Sequence, residues 1–160
     1  MANSMSGQQA VSMDARGRIS FPMQFRNVIG ESLYVSPDTR YRGYLVVRSE
    51  EGFNAYRKFL YEDGIAKGMD PEDVDDDVRD FAKDTAMLSP DKNGRITLTE
   101  GLIEHAGLSG KVVVIGVGDY AEIWDADKLA AYEKRRTEEK AKRRAKLDAE
   151  RKARLEQEGL

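Results

Sequence analysis

Two short stretches carry the residue types that could do chemistry. Asp14, Arg16, Gly17 and Arg18 stand in DARGRISFP, and Asp91, Lys92, Gly94 and Arg95 stand in DKNGRITLT. Each stretch sets a carboxylate, a glycine and a guanidinium within five residues. An arginine at the base of a turn, with Arg16 or Lys92 near its tip, offers a planar fork to phosphate oxygens or to the O6/N7 edge of guanine. It could equally close an ion pair with a carboxylate of its own chain, and spacing alone does not separate the two. The longer stretch SPDKNGRITLTE also has calcium-loop spacing: Asp91, Asn93, Gly94, Ile96 and Glu100 fall at positions 3, 5, 6, 8 and 12 of an EF-hand, with Ser89 at position 1.

Other chemistry is sparse. The chain has 160 residues and no cysteine, which excludes disulfides, thiolate metal sites and thiol nucleophiles. A single histidine, His105, argues against a histidine-based triad or zinc centre, and its place before Gly107 suggests a cation near a helix end. No nucleophile–base constellation can be assembled, so an enzyme is not expected. The start MANSMSGQQA is polar and lacks an apolar core, and no apolar run approaches ~18 residues. A cytoplasmic protein with no membrane partner, cofactor or small-molecule substrate is the expectation.

The net charge of −3 hides an asymmetry. Residues 1 to 60 carry 8 Lys/Arg against 5 acids, whereas residues 62 to 91 carry 3 against 11. All but one of the cations in the first block are arginine.

The elements that must position these residues are duplicated. VSMDARGRISFPMQFRNVIG from Val11 aligns on LSPDKNGRITLTEGLIEHAG from Leu88 at a constant offset of 77. After one fewer residue in the second copy the match resumes at an offset of 76, with Tyr44 on Tyr120, Val47 on Ile123 and Tyr56 on Tyr132. Alternation at Ile19/Phe21 and Ile96/Leu98, a helix opened after Pro22 and stopped at Gly30 or Gly107, two further strands and a closing helix capped by Ser49 or Asp125 make each unit ββαββα. Hairpins this short cannot bury their own apolar faces, so the two copies should share one core. Trp124 and Tyr132 are expected in that core, and the glycines of GVGDY in a tight strand-to-strand turn.

The repeat tests the calcium reading. Its first copy sets Arg16 at position 5 and Met23 at position 12, which cannot hold Ca²⁺. Of the D-x-x-G-R that both copies keep, turn chemistry explains Asp and Gly, since Asp opens a type I turn and Gly takes the left-handed position after it, but no turn requires the Arg that follows. Between the copies DPEDVDDDVRDFAKD reads as a helix capped by Asp70, with Pro71 first and Val74, Val78 and Phe81 on one face; Asp75, Asp76 and Asp77 then form a solvated surface. From Glu133 the chain is almost all Glu, Lys, Arg and Ala, with acid-to-base pairs such as Glu138–Lys142 and Glu139–Arg143. It reads as a solvated helix fraying towards Leu160.

With these residues in place, DARGRISFPMQFR and DKNGRITL resemble the D-x-x-G-R-[IV]-x-[IV]-P signature of AbrB/SpoVT-type swapped-hairpin DNA-binding domains. Two copies per chain, followed by HAGLSGKVVVIGVGDYAEIWD, resemble the MraZ family of bacterial regulators of the division and cell wall gene cluster. The similarity runs from about Gly7 to Tyr132, and the AGL…KVVVIGVG…EIW block is its most specific part. Met5 stands in place of an aromatic residue, Thr99 in place of a proline, and the middle segment matches only around Arg79 and Phe81.

The resemblance implies an α+β fold of two tandem swapped-hairpin repeats forming one pseudo-symmetric, barrel-like core, with a charged C-terminal helix. The implied division is a first repeat at 7–60, an acidic linker helix at 61–83, a second repeat at 84–132 and a tail at 133–160. It implies a nucleoid-associated, sequence-specific regulator, read as a repressor, that assembles into a homo-oligomeric ring. The ring would bind tandem operator repeats in double-stranded DNA upstream of its own operon, ~10 bp apart. By position, Arg18 contacts bases or groove, Arg16 contacts phosphate, and Asp14 and Gly17 hold the loop. Asp91, Gly94 and Arg95 match in the second copy, and Arg26 is a further phosphate candidate. The alternatives are an AbrB-type antitoxin, an interaction scaffold using the tail, and a calcium-binding module at Ser89–Glu100.

Overall fold

Short apolar alternations and well-signalled caps yield thirteen elements in the computed structural model, which describes residues 4–159. The first three residues of the polar N-terminal stretch, and Leu160 at the expected frayed end, lie outside the described residues. The chain divides into two units, Met1–Ala126 and Asp127–Leu160. The first holds β1 (Gln8–Ser12), β2 (Arg18–Ser20), α1 (Met23–Ile29), β3 (Leu33–Pro37), β4 (Leu45–Arg48), α2 (Glu50–Ala66), α3 (Pro71–Asp84), β5 (Ala86–Leu88), β6 (Arg95–Thr97), α4 (Glu100–Ala106), β7 (Lys111–Gly116) and β8 (Ala121–Asp125). The second is the body of α5 (Ala126–Gln157), where Glu139 pairs with Arg135 at 3.4 Å and Arg136 at 2.8 Å, one turn back rather than forward to Arg143. No described helix is long and apolar enough to cross a membrane.

Local chemistry sets the helix ends. Ser49 accepts from the Gly52 N–H and opens α2, and Asp70 accepts from the Glu72 N–H with Pro71 first in α3. Thr99 accepts from the Leu102 N–H, so a side-chain cap does in α4 what Pro22 does by its ring in α1. Gly107 leaves α4 in the left-handed conformation.

The fold is α+β, with one antiparallel six-stranded sheet in the order β1-β7-β8-β4-β3-β5 and a separate β2–β6 ladder. The first strand of each copy pairs with a strand of the other: β1 with β7, and β5 with β3. The two central ladders map onto themselves under the repeat. Leu45↔Ile123 exchanges with Val47↔Ala121, and Arg18↔Thr97 exchanges with Ser20↔Arg95 about the Ile19↔Ile96 pair. The pairs Val11↔Val112 and Leu33↔Leu88 are equivalent only if β3 maps onto β7 at an offset of 79. The single-residue shift seen in the sequence is thus two residues gained before β7 and three lost in the β7–β8 hairpin.

The expected barrel-like closure is absent. β1 and β5 remain edge strands, because three-residue β2 and β6 pair with each other and do not bridge the sheet edges.

The main core lies between one face of the sheet (Leu33, Val35, Leu45, Val47, Val112, Val114, Ile123) and the residues of β2, β6, α1 and α4, among them Ile19, Phe25, Ile96 and Leu102. Met5 fills the same core, tied to Gly118 by Met5 N–H to Gly118 O at 2.8 Å and Gly118 N–H to Met5 O at 2.7 Å. A side chain at Gly116 would stand 2.6 Å from the Ser6 nitrogen, so this glycine of GVGDY admits the N-terminal segment, while Gly118, at φ 87°, makes the expected hairpin turn. On the opposite face α2 and α3 form a hairpin. Gly64 lets them approach, since a Cβ there would stand 2.8 Å from Val74 Cγ2. Tyr34, Phe53 and Phe81 stack beneath the hairpin at centroid distances of 4.9 and 5.3 Å, Tyr56 tilts against Phe81 at 5.0 Å, and Arg48 lies 4.0 Å above the Tyr56 ring.

Ile19 and Ile96 are 1% and 0% exposed at the centre of the two-fold. Each truncation to alanine should cost about 2–5 kcal/mol in urea unfolding. The double variant should lose less than the sum, because the pair shares one packing site; full additivity would place them in separate sites.

Candidate nucleic-acid interface

The two D-x-x-G-R stretches fold as the same turn. In the first, Asp14 O accepts from the Gly17 N–H at 3.0 Å, and the Asp14 N–H donates to Arg18 O at 3.0 Å. Asp14 Oδ1 accepts from the N–H groups of Arg16 and Arg18, both at 2.9 Å. Its other oxygen accepts from Arg18 Nε at 2.7 Å. The Arg18 N–H, against burial, and then the Arg18 guanidinium and the Arg16 N–H hold the Asp14 carboxyl below the usual aspartate range. Gly17 has φ 78° and is covered by α4: a Cβ there would stand 2.8 Å from Ile103 Cδ1.

The second turn repeats the scaffold with a looser latch. Asp91 Oδ1 accepts from Asn93 N–H at 2.8 Å and Arg95 N–H at 3.0 Å, and these bonds, the latter first, lower the Asp91 carboxyl. Arg95 Nε stands 3.5 Å from Asp91 Oδ2, an ion pair by distance but not a hydrogen bond, and that nitrogen is sealed from solvent without a bonded partner. Gly94 has φ 76° and is covered by α1, where a Cβ would stand 2.8 Å from Arg26 Nη1. Arg26 and Ile103 are equivalent in the repeat, so each short helix roofs the turn of the other copy.

The structure therefore gathers the candidate residues in two sets. Asp14, Arg16, Gly17 and Arg18 form the first turn, with Arg16 exposed and the Arg18 side chain 28% exposed. Asp91, Gly94 and Arg95 form the second, and Arg26 belongs there rather than beside Arg18. The ladder sets Arg18 opposite Thr97 and Arg95 opposite Ser20, so the arginines stand at opposite ends of three paired positions. Arg18 also lies close enough to help lower the Asp91 carboxyl. Both arginine–aspartate pairs are solvent-reached, so they fix geometry more than they stabilise the fold.

Ser89–Glu100 runs from a turn through β6 into α4. Asp91 Oδ1 is engaged by backbone donors, Ile96 is paired with Ile19, and Glu100 begins a helix.

Sequence reasoning missed one polar node. Asp38, with a side chain 0% exposed, sits in the β3–β4 connection. It accepts from Arg42 N–H at 2.7 Å, Gly43 N–H at 3.0 Å, Tyr44 N–H at 3.2 Å and His105 Nε2 at 2.7 Å. The acceptor is a carboxylate, so Nε2 carries the hydrogen. His105 thus does more than end a helix: it ties the second copy to a loop of the first. The S-P-D…R-G-Y spelling, an Asp before a tight turn, was the available signal.

A duplicated α+β scaffold that presents one arginine-bearing turn per copy, each roofed by the other copy, is the class these features define. The comparisons with known proteins narrow it. A family model described as "MraZ protein", antitoxin-like, matches residues 81–151. The "Transcriptional regulator MraZ" of Mycoplasmopsis pulmonis is 31% identical over 134 residues, covering 81% of this chain and 84% of that protein. The protein of the same name from Mycobacterium ulcerans is 31% identical over 132 residues, covering 82% and 88%, and that from Paenarthrobacter aurescens is 31% identical over 129, covering 79% and 84%. This chain belongs to the MraZ family.

Burial pushes the Asp38 carboxyl up, but the Arg42 N–H, the His105 ring and the Tyr44 and Gly43 N–H groups outweigh it and leave it below its ordinary value. The unfolded chain therefore takes up this proton first as pH falls. The stabilisation is complete above the unfolded value of ~3.9 and is lost as pH drops through the folded one. Asp38→Asn should cost about 1–3 kcal/mol at neutral pH and flatten the acid limb of a circular-dichroism stability profile below about pH 5. An unchanged acid limb would remove Asp38 from that role.

Proposed function

We propose that this chain is a sequence-specific DNA-binding transcription regulator, acting as a repressor, and that the first turn is its reading head. The observation that carries the proposal is the Asp14 latch. One carboxylate orders the turn backbone and grips Arg18 through Nε at 2.7 Å, which leaves its two terminal nitrogens without a hydrogen-bond partner among the described residues and able to act as a fork. Arg18 then reads the guanine O6/N7 edge, Arg16 meets phosphate, and Asp14 and Gly17 hold the geometry. Arg26 and Arg95 serve a second, weaker phosphate contact at the other turn. The names of the relatives, all transcriptional regulators, support the class. The exchange of first strands between the copies supports a tandem swapped-hairpin reading, with repeats at 7–60 and 84–132.

With a net charge of −3, a single copy has little general attraction for DNA. Binding then depends on several turns acting together on one homo-oligomeric ring, placed in the cytoplasm on the nucleoid. Operator repeats about one helical turn apart, upstream of the chain's own operon in the division and cell wall cluster, present successive guanines on one face. The antitoxin-like description of the family model favours a second reading, in which a partner toxin is neutralised and DNA binding serves autoregulation.

In a gel shift on the DNA upstream of the gene, Arg18→Ala should weaken specific binding at least ~100-fold with the oligomer intact, since each good base contact is worth about 1–3 kcal/mol and is repeated around the ring. Affinity of the unaltered protein should fall steeply with salt. Retained operator binding by a folded Arg18→Ala protein overturns the assignment.

A further inference from the structure

The layer beneath α2 and α3 holds a cation that the proposed function does not use. Arg48 is only 9% exposed, yet its side chain makes no ion pair or hydrogen bond with any described residue. Aromatic rings take up its planar surfaces: Tyr56 lies 4.0 Å from the guanidinium carbon, Phe81 5.5 Å and Tyr120 5.7 Å. Cation–π contact accounts for the faces of the group but not for its edge, where five N–H donors lie. None of these nitrogens is sealed off without a partner, so they keep some contact with solvent, and Arg48 lines the adjoining cavity.

The repeat sharpens the contrast. At an offset of 76, Arg48 falls on Trp124, and Tyr44 on Tyr120. In one half of the sheet Trp124 stacks on Tyr44 at 4.6 Å and an interplanar angle of 13°. In the other half a guanidinium takes the place of the indole. A buried cation without a counter-ion is costly, and an apolar ring fills the equivalent position without that cost.

The cavity measures about 410 Å³, within the roughly 300–1,000 Å³ of small-molecule sites. Two cations, Arg40 and Arg48, line it against one acid, Asp119, and Phe59, Tyr44 and Tyr120 add ring surface. The Tyr56 hydroxyl is engaged with Thr39 Oγ1 at 2.6 Å, which fixes that wall. Burial, with Glu122 and Asp38 nearby, pushes Tyr44 up to about 12, so its hydroxyl keeps its hydrogen at neutral pH.

We propose that this cavity binds a small organic anion, a carboxylate or phosphate on an aromatic or apolar body, with the headgroup on the edge of Arg48, Arg40 at the mouth and the body against Tyr44 and Tyr120. The site is separate from the D-x-x-G-R turns, and its occupancy does not depend on DNA.

Calorimetry on the full chain with phenyl phosphate and with benzoate, at fixed ionic strength, tests it. Saturable binding of either probe is expected. It should weaken at least ten-fold in Arg48→Met and several-fold in Arg40→Gln and Tyr120→Leu, and stay unchanged in Arg18→Ala. Folding of each variant is checked by circular dichroism; should Arg48→Met not fold, the other two pocket variants decide. The proposal is overturned by the absence of saturable heat, by equal binding in folded pocket variants, or by loss in Arg18→Ala, which would place the anion on the turns. A change in oligomer mass in Arg48→Met, with no heat from either probe, also overturns it and makes the cavity a seat for a side chain of another copy.

Discussion

The carboxylate of Asp14 is the constraint on which the rest depends. With two oxygens it fixes three groups of one short turn: the N–H of Arg16, the N–H of Arg18 and Nε of Arg18. A five-donor side chain on a flexible stem becomes an oriented fork, and the entropy of ordering it is met within the protein before any ligand arrives. Because the pair is exposed to solvent, its value lies in position rather than in stability. Gly17 completes the device: its left-handed backbone and the close approach of Ile103 exclude a side chain there.

Duplication makes this turn part of a larger symmetric object. Ile19 and Ile96 meet on the pseudo-two-fold, and α1 and α4 each roof the turn of the other copy. Each turn closes on its own hydrogen bonds but is covered by a helix of the other copy, which ties the candidate interface to the shared core. The two halves differ at the positions proposed to act. Arg18 is latched at 2.7 Å, while Arg95 stands off at 3.5 Å. Arg26 covers one turn, and Ile103 the other. Trp124 stands in one half of the sheet, and Arg48 takes the equivalent place in the other half.

What could be read from the sequence was local. Asp and Gly at fixed spacing declare a turn, Asp70-Pro71 declares a helix start, and Val74, Val78 and Phe81 declare its inner face, because each signal lies within one or two turns of chain. The repeat extended this reach by showing that two copies share a core. The exchange of first strands, the open sheet edges and the offset of 79 in β7 come from ladders between residues up to about a hundred positions apart, and no local pattern encodes them. The Asp38–His105 bond spans 67 positions and was hidden for the same reason. Arg48 was within reach: placing it over Trp124 in the repeat already shows a cation where a ring belongs. The sequence makes Arg26 a phosphate candidate on the first helix, and only the packing shows which turn it covers.

Protection of guanine N7 from dimethyl sulfate on the DNA upstream of the gene tests the role proposed for Arg18, because N7 is an acceptor that its guanidinium would take. The account predicts protected guanines recurring every ~10 bp in the presence of the full chain. Bound complexes that leave every N7 open to methylation would contradict it and move recognition away from Arg18.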